Sequence, residues 1–60
     1  MDKEEIKALR KKLNLTQEQF ASIIGASHKM TISGWESGKR SPDRFFQDKL
    51  KKLEKKVNKQ

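Results

Sequence analysis

The stretch TQEQFASIIGASHKMTISGWESG, residues 16–38, decides the fold. Thr16, followed three residues later by Gln19, spells a capping box: the hydroxyl accepts from a free helical amide, and the glutamine carbonyl accepts from the capping residue's own N–H. Phe20, Ala21, Ile23 and Ile24 then supply the buried face of a helix. Gly25 ends it, because glycine takes the left-handed conformation without a steric cost. A second short helix follows, with Ile32 and Trp35 three apart on its inner face and Gly38 as its stop. With those two side chains inward, Lys29, Met30, Ser33, Gly34 and Ser37 fall on the opposite side and stay bare.

Working outward, Asp2 and Glu5 match a second capping box, and Ile6, Leu9 and Leu13 recur at helical spacing through Lys3 to Leu13. Asn14 and Leu15 break the chain before Thr16. Downstream, Ser41 is the expected cap of a further helix, Pro42 suits its first turn and Asp43 complements its dipole. Phe46, Leu50, Leu53 and Val57 form one apolar stripe on that helix, with Phe45 beside it. The last residues, Asn58 to Gln60, are expected to fray.

Sixty residues make one small domain with little room for a deep active-site pocket. There is no cysteine for a disulfide, a thiolate zinc site or a thiol nucleophile, which fits a reducing cytoplasm. No apolar run approaches the roughly 20 residues that span a bilayer. The formal charge is +7, and ten of the 15 bases lie from Lys29 onward, so the positive field belongs to the second half. Such a field attracts polyanions such as nucleic acid.

Ile6, Leu9, Arg10, Leu13, Leu15, Thr16, Gln17, Phe20, Ala21, Gly25, Ala26, Ser27, Thr31, Ile32, Ser33, Trp35, Glu36, Gly38, Lys39, Arg40 and Pro42 together resemble the Xre family of phage Cro and repressor domains. The likeness covers roughly residues 3 to 50. It implies an all-α, compact four- to five-helix bundle with a repressor-like helix-turn-helix at about 16–38, while the chain's own apolar stripe gives a lysine-rich C-terminal helix at about 42–57 and its length makes residues 1–60 a single domain. It also implies that the third helix reads bases in the major groove, commonly as a dimer on pseudo-palindromic operators. Two features depart from the family. The turn from Gly25 to Thr31 is one residue longer than the common spacing, and the fifth, often dimer-forming helix is replaced by the lysine-rich fourth.

The base-reading candidates are His28, Lys29, Met30, Ser33, Gly34 and Ser37: lysine donates to guanine, serine to either kind of edge, and methionine touches a thymine methyl. Gly34 has no side chain to read with, and either close approach to DNA or mere tolerance accounts for it. Gln17, Thr31, Lys39, Arg40, Ser41 and Arg44 are the phosphate candidates, at a helix start and in the loop after the reading helix. The bland alternatives are an exposed helix-starting glutamine and a solvated basic loop. Arg10 and Glu36 resemble the family's structural pair between helices 1 and 3, expected to be partly exposed and worth about 0 to 1 kcal/mol. Phe20 and Trp35, in phase with their stripes, read as core. His28, alone, is no metal site, and no cofactor is implied. Lys49, Lys51, Lys52, Lys55, Lys56 and Lys59 either add non-specific DNA affinity or form a solvated face.

These readings favour a transcriptional regulator, a repressor in the first instance, whose partner is a double-stranded DNA operator in the cytoplasm and nucleoid. A homodimer stays open. The alternative is a protein-interaction module that uses its basic, Phe-bearing last helix to hold an acidic protein partner, as a DNA-binding antitoxin holds its toxin. A membrane-surface helix made of the lysine tail is the third reading, disfavoured by its narrow stripe. Scattered carboxylates and one histidine supply no catalytic set, so no enzyme is expected.

Overall fold

The computed structural model describes residues 1–58, which form four α-helices and no strand: α1 Lys3–Lys12, α2 Gln17–Ile24, α3 Lys29–Ser37 and α4 Arg44–Asn58. Local chemistry sets most of the boundaries. The Glu5 N–H donates to Asp2 Oδ1 at 2.8 Å while the Asp2 N–H donates to Glu5 Oε1 at 3.1 Å, closing the first capping box. Thr16 and Gln19 close the second in the same way, at 3.1 and 3.0 Å. Between α1 and α2 the chain turns on Asn14, at φ 59°. Asparagine is among the few side chains that tolerate this left-handed region. The Asn14 N–H then reaches the Lys11 carbonyl at 3.0 Å, and the Leu15 N–H reaches that of Arg10 at 3.2 Å, the two bonds of a Schellman turn. Gly25, at φ 88°, ends α2, with the Ala26 N–H on the Ala21 carbonyl at 2.8 Å.

The core draws Ile6 and Leu9 from α1, Phe20, Ala21 and Ile24 from α2, Ile32 and Trp35 from α3, and Leu50 from α4. Met1, Leu13, Leu15, Ala26, Phe46, Leu53 and Val57 pack around it, half-buried. α3 lies against α2 and α1, and α4 closes the bundle against α2. The Phe46 ring meets the Trp35 ring at 5.2 Å between centroids, tilted by 58°, a favourable aromatic geometry that seats α4 on the inner side of α3. The Cα radius of gyration, 10.3 Å, matches the roughly 10 Å of a close-packed chain this long.

Two expectations are corrected. Ile23 does not join the buried face of α2: it is 55% exposed. Successive helical residues are turned about 100° apart, so a stripe centred on Phe20, Ala21 and Ile24 leaves Ile23 on its flank. Ser41 does not cap α4, and Pro42 does not sit in its first turn. Asp43 is the cap, its Oδ1 accepting the Phe46 N–H at 3.1 Å, while Pro42 is buried one position earlier and Ser41 is exposed. An aspartate caps at least as well as a serine, and burying the proline ring favours this register. The fifth helix that the family likeness allows does not occur among the described residues. Lys59 and Gln60 lie outside them.

Candidate nucleic-acid interface

α3 is anchored by two side chains. Ile32 is wholly buried and Trp35 nearly so. The other side of the helix meets solvent: Met30 is 77% exposed, and Lys29, Ser33 and Ser37 are exposed with it. Ser37 turns its hydroxyl back on the Gly34 carbonyl at 3.2 Å. His28 precedes the helix in an extended conformation and is exposed, and its side chain makes no capping bond. The first amides of α3 are therefore without a side-chain cap at the end where the helix dipole is positive.

Gly34, half-buried, lies beneath the loop that follows. A β-carbon there would stand 3.5 Å from Arg40 Cδ, and the Arg40 N–H donates to the Gly34 carbonyl at 3.1 Å. The loop thus crosses back over α3 at this residue, leaving Lys39, Arg40, Ser41 and Arg44 exposed as a cationic rim running into α4. Thr31 is half-buried on the flank of α3.

Arg10, Glu36 and Gln17 form one network. Arg10 Nε donates to Glu36 Oε2 at 2.7 Å and Nη2 donates to Oε1 at 3.1 Å, a two-pronged pair, while Nη1 donates to the Leu15 carbonyl at 2.9 Å. Gln17 Nε2 adds a third donor to Glu36, at 3.2 Å. The pair is drier than expected from the sequence, with the two side chains 15% and 6% exposed, because α1, the α1–α2 turn and the last turn of α3 close around it. Burial penalises the Glu36 charge, but the bonds from Arg10 and then Gln17, helped by the charges of Arg10 and Lys7, outweigh it and hold the carboxyl below its ordinary value. The bond to Glu36, less the cost of burial, holds the Arg10 guanidinium above its own. The network locks the first residue of α2 to the last turn of α3, setting how the two helices are presented together.

Sequence reasoning missed two lysines. Lys3 reaches across to the α3 stop, its Cδ 3.3 Å from where a Gly38 β-carbon would stand, placing a cation at the negative end of that helix. Lys49 is not a free tail lysine: its ammonium lies 4.6 Å over the Phe45 ring and 3.2 Å from a notional Gly25 β-carbon. Lys3 on Gly38 and Lys49 beside Gly25 join residues far apart in the chain and are not signalled by spacing, whereas Lys49 over Phe45 is an i, i+4 pair on α4 that helical spacing does signal. Lys7 is different, since it lies three residues before Arg10 on the same helical face. Among the described residues no three histidine or acidic side chains converge as a metal site would need, and no helix is long and apolar enough to cross a membrane.

An all-helical chain with a capped helix, a glycine turn and a short second helix bare on one side is a helix-turn-helix domain. The family model described as Helix-turn-helix matches residues 6–59, and the chain belongs to that family, whose Xre and Cro-like members bind DNA and regulate transcription. Comparison with curated proteins and with solved structures gives no match.

Proposed function

We propose that residues 1–60 act as one sequence-specific double-stranded DNA-binding unit that inserts α3 in the major groove of an operator and represses transcription by controlling access of the polymerase. The observation that carries this reading is the division of α3, with Ile32 and Trp35 inward and Lys29, Met30, Ser33 and Ser37 left to solvent. Lys29 donates to a guanine edge, Ser33 to either kind of edge, Ser37, whose proton is turned on the Gly34 carbonyl, accepts from an adenine or cytosine amino group, and Met30 packs on a thymine methyl. His28 approaches from the uncapped start of the helix, and Gly34 acts indirectly, giving Arg40 the room to cross over α3 towards the DNA.

Lys39, Arg40, Ser41 and Arg44 grip the sugar-phosphate backbone, with Thr31 on the flank of α3. Gln17 uses one amide hydrogen on Glu36 and has a second for a phosphate at the start of α2. The role needs no bound cofactor. A cytoplasmic, nucleoid-associated location goes with it, and a homodimer would place half-sites about 34 Å apart.

Selection of bound sequences from random duplexes tests the reading, followed by anisotropy titration of the enriched duplex against a scrambled one. One motif should emerge and bind at least about a thousandfold more tightly than the scramble at matched salt. Palindromic enrichment would mark a dimer. Equal affinity for both duplexes would overturn the assignment.

A further inference from the structure

We propose that the groove between the last turn of α2 and the second half of α4 is a docking site for an acidic, amphipathic helix of another protein, separate from the DNA-reading face. Ile23, Ile24 and Leu53 supply its apolar lining, Lys49, Lys52 and Lys56 its polar lining, and this shallow, open groove offers about 260 Å³ with no carboxylate among the residues that line it. Ile23 is 55% exposed there. Phe45, 59% exposed, adjoins it through Lys49, which both lines the groove and lies over the Phe45 ring. Single apolar side chains on a surface are ordinary, but here two large ones adjoin the same lysine beside a concave apolar lining.

Charge selects the occupant. A second copy of a chain carrying +7 would bring like charge to these lysines. Duplex DNA would pair with the ammonium groups, but its polar backbone would leave Ile23 and Leu53 unmatched. A helix with aliphatic anchors at positions i, i+3 or i+4 and i+7, flanked by glutamates or aspartates, meets both halves of the site. α4 sits on the inner side of α3 through Trp35 and Phe46, so a partner held here leaves Met30, Ser33 and Ser37 open. The domain then joins an acidic protein to the DNA it reads.

The test uses the whole 60-residue chain. The probe is a synthetic helical peptide of about 18 residues, leucine on one face and glutamate on the flanks, beside a scramble of identical composition. Amide shifts should centre on Ile23, Lys49, Lys52, Leu53 and Lys56, with the scramble at least about tenfold weaker. Ile23→Ser and Lys52→Glu, both at exposed positions, should each weaken the peptide by about tenfold, and Ile23→Ser should leave duplex affinity unchanged. Equal binding of the scramble, shifts confined to α3, or self-association relieved by Ile23→Ser would each overturn the proposal. Failure of the native chain to bind the peptide while it still binds duplex sinks this inference alone.

Discussion

Glu36 joins three helices, taking donors from α1 and from the start of α2 while sitting on α3. Removing it strands the Arg10 guanidinium in a largely dry site. Breaking a fully buried pair costs about 3–5 kcal/mol, and since Arg10 keeps the Leu15 carbonyl and some solvent, Glu36→Ala should cost nearer 2 kcal/mol, or roughly 10 °C in melting temperature by calorimetry. Acid should act on the same group. A carboxyl depressed in the folded state contributes stability that is present above its unfolded pKa and lost as pH falls through the folded one, so that contribution should decline below an ordinary value of 4.5. Melting temperatures of Glu36→Gln should fall less steeply over this acid range than those of the native chain. The Arg10–Glu36 pair was legible through the family likeness, whereas the Gln17 bond was not. That bond depends on a side-chain rotamer that sequence spacing does not determine.

At the scale of the element, three of the four helices begin with a side-chain cap, from Asp2, Thr16 and Asp43, and α3 does not. His28→Asp should therefore raise stability by about 1 kcal/mol, seen as a higher denaturation midpoint, because a carboxylate at this position accepts from the free amides and suits the dipole. The same substitution should weaken duplex binding by about tenfold, since it puts a negative charge where phosphates approach. Tighter binding by this variant would move the DNA away from the start of α3. Helix boundaries were readable where capping boxes and glycines mark them, as at Asp2, Thr16, Gly25 and Gly38. The start of α4 was not, because Ser41 and Asp43 are both competent caps and the choice rests on burial of the Pro42 ring. Likewise Ile23 and Ile24 are identical in composition, and the direction from which α4 approaches decides which of them is covered.

For the whole molecule, the formal charge of +7 predicts binding that falls steeply with salt. Each phosphate contact contributes about 0.9 to the slope of log affinity against log salt, so Lys39→Ala should reduce that slope by about one while leaving the preferred sequence unchanged. An unaltered slope in anisotropy titrations would remove Lys39 from the backbone contacts. The all-helical architecture was visible in the chain because local signals and apolar periodicity agree over most of its length. Long-range contacts such as Lys3 on Gly38 and Lys49 beside Gly25 had no such trace. The anchoring of α3 through its inner side by Ile32 and Trp35 also separates vocabulary from grammar. On the proposed reading, Met30, Ser33 and Ser37 could change without disturbing the interior, so domains with different targets would be reachable by single surface replacements.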